Sequence, residues 1–194
     1  MQTIHTDIQP LVSTRVTHQS IPANKGISFG MSKQDTVSLL KNDLYSTPEM
    51  SVCSHQVLYG VNVSMICEFL GDSLNCLLYK CSYEPPYLDE FISIHSHLVN
   101  NISKQYGKPV HLATDWMITD YIGVLGKMGE AYLQKHAFTM HCWLLENGLY
   151  VASYIIGIAE GIEILVLVAD EAVQTGFRDV LLQRLEKESA DCKK

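Results

Sequence analysis

The chain has no excess of positive charge: 14 Lys and Arg stand against 21 Asp and Glu, a formal net charge of -7. Its basic residues are scattered, so there is no stripe to neutralise a phosphate backbone, and nucleic acid is not an expected partner. Long apolar runs are missing as well. The most apolar stretch, residues 162–169, is interrupted by Glu163 and falls far short of the about 20 residues that a helical bilayer span needs. No membrane partner is expected. The opening Met1-Gln2-Thr3-Ile4-His5-Thr6-Asp7 has no basic start followed by an apolar core, so no secretory signal is read and a cytoplasmic protein is expected.

Nucleotide and metal signatures are equally scarce. Gly123, Gly126 and Gly129 do not follow the G-x-G-x-x-G spacing of a dinucleotide cradle, and no Gly-Lys-Ser or Gly-Lys-Thr occurs. No cofactor is expected. The six cysteines, Cys53, Cys67, Cys76, Cys81, Cys142 and Cys192, lack the close pairs of a zinc site. Without a secretory context they read as reduced thiols. His95 and His97 resemble a chelating pair until placed on a helix, where two positions turn about 200° and send the rings to opposite faces. His95 then falls on an apolar stripe and reads as a packed histidine, while His97 reads as solvated. No metal ligand set emerges.

Catalytic constellations meet the same geometric objection. His141 and Cys142 are adjacent in a predicted strand, where neighbouring side chains point to opposite faces, so His141 does not activate Cys142 locally. Cys53 and His55 share a face without any flanking nucleophile motif. Asp115 and Asp120, with Glu130, would lie in one helical segment, but five positions turn about 140° and the two aspartates do not converge. No catalytic residue is assigned.

What is present is pattern. A hydrophobic content of 47% supports a packed core rather than disorder. Ser32, with Asp35 three positions on, starts a capped helix whose apolar stripe is Val37, Leu40 and Leu44. Val57, Tyr59, Val61, Val63, Met65, Cys67 and Phe69 then fall on odd numbers, one face of a pleated strand or of two strands turning near residues 60–62. A third strand is expected over 74–83. After Pro85-Pro86 the stripe Leu88, Phe91, Ile92, His95, Leu98, Val99, Ile102 and Tyr106 marks the clearest helix, ended by Gly107 and Pro109. Strands are expected over 138–146, 149–158 and 162–169, with Asn147-Gly148 forming a two-residue hairpin turn. Residues 110–136 read as a broken helix capped by Thr114 or Asp115, or as an irregular insert, because each internal glycine costs about 1 kcal/mol relative to Ala. Ala172, Val173, Phe177, Val180, Leu181 and Leu185 give a final helix.

The helix start Gly30-Met31-Ser32, followed by Val37 and Leu40, resembles the Gly-Met-Thr or Gly-Met-Ser start of units in the BamE/SmpA lipoprotein family. The exit Tyr106-Gly107-Lys108-Pro109 is similar to the Gly-x-Pro exit of those units. The resemblance implies a helix followed by a short antiparallel sheet, and tandem copies would resemble the beta-lactamase inhibitor protein-like fold, where a concave sheet grips a protein. The chain departs from the pattern in having no lipobox cysteine near residue 1 and Lys41-Asn42-Asp43 at the first helix exit.

The expected fold is therefore α+β and two-layered: tandem helix plus three-stranded antiparallel units with a C-terminal helix, all helices on one face. Residues 1–30 form an N-terminal segment with at most an edge strand near 11–16. The first unit spans 31–84 and the second 85–194, with the insert at 110–136, in one compact domain. Some parallel pairing at 162–169 is the runner-up. The expected function is that of a soluble, acidic, non-catalytic protein-binding module, inhibitor-like or immunity-like. A small hydrolase with a fold-assembled site from Cys53, His141 or a carboxylate is the alternative. In the last strand Ile162, Ile164, Val166 and Val168 are expected to face inward. That leaves Leu165 and Leu167, with Tyr150 and Tyr154 across the hairpin, as an exposed patch for an unknown protein partner. The oligomeric state stays open.

Overall fold

A computed structural model describes residues 2–5, 26–81, 88–116, 132, 137–158 and 161–191. The possible edge strand at 11–16 and most of the 110–136 insert, with Asp120, Gly123, Gly126, Gly129 and Glu130, lie outside the described residues.

The first helix, α1 (Lys33–Leu40), begins where its cap residue dictates. Ser32 has extended backbone, its Oγ accepts the Asp35 N–H at 3.1 Å, and its hydroxyl donates to the Asp35 carboxylate at 2.8 Å. These bonds satisfy a donor that the first turn leaves unpaired and seat an anion at the positive end of the helix dipole. Lys33 N–H finds its own acceptor in Asp72 Oδ1 at 3.0 Å. The helix stops at Leu40, so Leu44 belongs not to its stripe but to a short strand.

After β1 (Gln2–His5), the first half contributes β2 (Leu44–Ser46), β3 (Ser51–Leu58), β4 (Val61–Leu70) and β5 (Ser73–Cys81). The odd-numbered face expected through this region holds only in β4, where Val63, Met65, Cys67 and Phe69 are buried. In β3 the buried residues include Val52, Ser54, Gln56 and Leu58, and Val57 is 58% exposed. The cause is the turn. Tyr59 and Gly60 both have positive φ, 50° and 86°, as a two-residue hairpin turn requires. Leu58 therefore pairs with Val61 and Gln56 with Val63. Paired residues share a face, so crossing the turn exchanges even for odd numbers.

In the second half come α2 (Leu88–Tyr106), β6 (His111–Trp116), β7 (Ala137–Leu144), β8 (Tyr150–Ile158), β9 (Gly161–Ala169) and α3 (Glu171–Asp191). Gly107 ends α2 with φ 85° and an N–H bonded to the Ser103 carbonyl, the left-handed stop that favours glycine. Thr114 and Asp115 cap no helix. They lie in β6, held between β1 and β7, and these pairings rather than a local pattern make this segment a strand. The β7–β8 connection is also longer than a two-residue turn: Gly148 N–H bonds to the Leu145 carbonyl and Leu145 N–H to the Leu149 carbonyl, a three-residue loop with Gly148 in the left-handed position, φ 80°. Asp170 starts α3 by accepting the Val173 N–H at 2.9 Å.

All nine strands form one sheet, in the order β1-β6-β7-β8-β9-β5-β4-β3-β2, with every neighbouring pair antiparallel. This overturns the two-layer arrangement of tandem three-stranded units. Each half supplies four consecutive strands, β2 to β5 and β6 to β9, and the β5–β9 ladder merges them. Nor do the helices share a face. Leu40 of α1 and Leu98, Ile102 and Tyr106 of α2 pack in one apolar cluster, while Val173, Phe177 and Leu181 of α3 pack in another with Cys76, Phe138, Met140 and Leu167. The centre of the molecule is therefore three layers deep.

That third layer explains β9, which is buried almost end to end. A near-continuous apolar run is usual for parallel strands covered on both faces. Here the strand pairs antiparallel with both neighbours, and α2 and α3 supply the two covers. Leu167, expected at the surface, is fully buried. Its replacement by Ala should cost roughly 2–5 kcal/mol of unfolding free energy, measured by urea denaturation; a loss below about 0.5 kcal/mol, normal for a surface site, would contradict this placement.

Candidate functional site

The four residues expected to form a partner surface lie together, but beneath α3. Tyr154 and Leu167 are fully buried and Leu165 is 4% exposed. Tyr150 is half-buried against the same cluster. Gln174 of α3 donates to the Tyr154 hydroxyl at 3.2 Å, and Phe177 tilts against its ring at 5.6 Å between centroids. Burial drives the Tyr154 phenol upward from its ordinary pKa, with the Gln174 bond opposing. The alternation was read with the correct set on this face, but the face is covered, because α3 folds back on the side opposite α1 and α2.

Beyond β5, the same face of the sheet lacks a helical cover among the described residues. Register carries the face from Leu167 to Leu78 and Ile66, then to Cys53, with Ser64 beside His55 and Asn62 beside Val57. His55, Val57, Asn62, Glu68 and Lys80 are exposed along it, with Ser64, Ile66 and Leu78 half-buried. Lys80 pairs with Glu163 at the border with the covered half. Toward the sheet edge, Tyr45, 49% exposed, stacks on the His55 ring with centroids 4.4 Å apart. Apart from His55, weighed with Cys53 as a thiol and imidazole pair, these residues were not singled out from sequence. The signal was present in Tyr59-Gly60, which as a two-residue turn moves Val57 outward.

Backbone geometry defines the edge itself. His55 N–H bonds to the Asp43 carbonyl at 2.9 Å, so the odd-numbered residues of β3 turn their amides away from β4, as antiparallel alternation requires. The short β2 pairs with β3 only at Leu44 with Ser54 and Ser46 with Cys53. Past it, Val57 directs its N–H and C=O outward from the sheet, with no strand beside it among the described residues. The turn that follows is braced by α2: the Tyr59 carbonyl meets His97 Nε2 at 2.8 Å, and the Tyr59 hydroxyl bonds Gln105. His97 is thus exposed but engaged.

On the opposite face, between α2 and the sheet, His95 projects toward β7 and β8. It is 5% exposed, and its ring lies 5.4 Å from that of His141, tilted by 55°. Thr139, His141 and Trp143 share this face of β7, and Ser153 pairs with His141 across the ladder. His95 Nε2, His141 Nδ1 and Ser153 Oγ are buried without hydrogen-bond partners. Burial holds both imidazoles neutral: His95 is pushed down to about 3 by desolvation, then by His141, against an opposing backbone bond at Ser153, and His141 is lowered by desolvation.

Of the groups named for the hydrolase alternative, Cys53 and His141 are not brought together. The sheet sets them on opposite faces, Cys53 with Ile66 on the α3 side and His141 with Ser153 under α2. Asp115 lies in β6, and the other proposed carboxylates, Asp120 and Glu130, fall outside the described residues. Among the described residues no group of three or more His, Cys, Asp or Glu is arranged to hold a metal ion, and no helix is long and apolar enough to cross a membrane. Comparison with protein-family models, curated proteins and solved structures finds no match to the chain.

Cys53, Cys67, Cys76 and Cys142 are free thiols. Desolvation pushes Cys67, Cys76 and Cys142 up to about 12, which suppresses the reactive thiolate near neutral pH. In the native protein at pH 7.5 these three should react with a water-soluble thiol reagent only at the rate of unfolding. Peptide mapping by mass spectrometry checks this, and labelling of any of the three faster than free cysteine would refute it.

Proposed function

We propose that the chain is a non-catalytic protein-binding module, inhibitor-like or immunity-like, whose contact surface is the open sheet face and edge at β2 and β3. The observation that carries this reading is the outward-facing backbone at Val57, flanked by the exposed Tyr45 and His55 stack. The partner's contact element is an extended segment that adds as a strand beside β3. Main-chain hydrogen bonds supply attraction in this mode, and alternate side chains on the two faces supply selectivity. Tyr45 offers a rigid amphipathic ring at small entropic cost, a property favoured at protein contacts. A cytoplasmic setting is part of the proposal, supported by the free thiols, which persist in reducing compartments.

Two substitutions separate the backbone from the side-chain contribution. Val57→Pro removes the outward N–H and is tolerated at a strand edge, whereas Tyr45→Asp removes the ring. Tagged wild-type chain should retain a defined protein from its native source, and each variant should retain at least about tenfold less, equivalent to 1.4 kcal/mol, while melting within a few degrees of wild type. Equal recovery by wild type and both variants would refute the proposed surface. Failure of the wild type to retain any protein would refute the binding role.

A further inference from the structure

The pocket between α2 and the sheet contains three buried polar atoms that the fold leaves without partners, on His95, His141 and Ser153. Such atoms are rare in folded proteins and destabilise the arrangement that buries them. Two are imidazole nitrogens on different elements, so each ring is a latent proton acceptor at the seam where α2 rests on the sheet. We propose that His95 and His141 form an acid-sensitive latch, holding α2 on β7 and β8 at neutral pH and releasing it when the two rings are protonated.

Among the described residues, only the Ser153 backbone bond to His95 favours a charge on either ring. From β7 the pocket is faced by Thr139 and Trp143, from β8 by Ser153 and Ile155, and from β9 by Ile164 and Val166. None of these is ionisable. Tyr132, whose hydroxyl bonds Thr139, is kept neutral by burial, its pKa raised to about 12. On α2 itself Glu90 is five positions before His95 and Lys104 nine after, which turns them about 140° and 180° away. Lys80 and Glu163 pair on the far side of the sheet. Among the described residues, His141 is the one titratable group acting on His95 through its charge. Each imidazolium would therefore sit desolvated beside another, with repulsion added to the cost of burial.

The sign of the effect follows from proton binding. An exposed histidine titrates near about 6.5, whereas His95 in the closed pocket is pushed down to about 3 and His141 is also lowered. Between those limits the released form binds more protons than the closed form, so closure is complete above about pH 6.5 and weakens as pH falls. Two protons taken up on release steepen the opening equilibrium to about 100-fold per pH unit, against about tenfold for one. Release would bare the apolar side of β7 and β8, including Trp143 and Ile155.

A built-in reporter sits at the latch. Trp143 stacks on His141 at 20° with centroids 6.2 Å apart, and its indole N–H donates to the Gly107 carbonyl, just past the end of α2, at 3.1 Å. In a Trp116→Phe background, indole fluorescence should change reversibly between pH 6.5 and 4.5. Amide exchange in α2, corrected for intrinsic rate, should accelerate by up to about 100-fold per pH unit below pH 6, ahead of β4 and β5. His95→Phe should reduce that slope to about tenfold and His95→Phe/His141→Phe should abolish it, with His97→Gln unchanged. Unaltered α2 protection in the wild type down to pH 5 would overturn the latch, as would a double variant that keeps the wild-type slope. Should the variants fail to fold, imidazole C–H resonances of the wild type decide. Both rings staying neutral until α2 opens supports the latch, and ordinary titration of either under a protected α2 overturns it.

Discussion

The ladder between β5 and β9 is the constraint on which the rest of the structure depends. It pairs Leu77 with Val168 and Tyr79 with Val166 beneath α2, and Cys76 with Ala169 and Leu78 with Leu167 on the side of α3. The last strand of one four-stranded run thus meets the last strand of the other, although some 90 residues separate them in sequence. Without that ladder each run would be a sheet of its own, with an apolar edge exposed. With it, one sheet of nine strands forms, wide enough for helices to cover different parts of its two faces.

Coverage is uneven, and that unevenness separates the two regions of chemical interest. At the centre α2 and α3 shield both faces, leaving polar groups such as His95, His141 and Ser153 in surroundings where water cannot serve them. Toward β3 only the α1 and α2 side is filled, and the reverse side exposes His55, Val57 and Lys80. The buried pocket gains its sensitivity to charge from the same close packing that keeps its rings neutral. The open edge is free to pair because β2 is too short to occupy it. α2 touches both regions, through His95 inward and through His97 at the Tyr59 turn.

Much of the local structure was legible in the residues. Ser32 with Asp35 marked the start of α1, Gly107 the end of α2, and the stripe from Leu88 to Tyr106 the longest regular face of α2. Each is a short-range rule, satisfied within one or two turns of backbone. β6 was not legible, because its strand character comes from β1 and β7 and the residues between it and β7 separate the signal from its partner. The phase of β3 was misread for a different reason: a two-residue turn reverses parity, and Val57 through Phe69 alternates so regularly that the reversal leaves no mark in composition.

The sequence by itself determined where α1 starts and where α2 stops, which residues of β9 share a face, and that His95 packs inward and His97 does not. Those outcomes depend on hydrogen bonds and periodicities spanning a few residues. Tertiary structure alone decided which faces are covered. Tyr154, Leu165 and Leu167 form one set in either view, but whether that set meets water or α3 depends on the direction in which the final helix returns across the sheet. The same long-range packing brought His95 against His141 and left Val57 at an open edge, since burial is a property of the neighbours that a residue acquires and not of the residue.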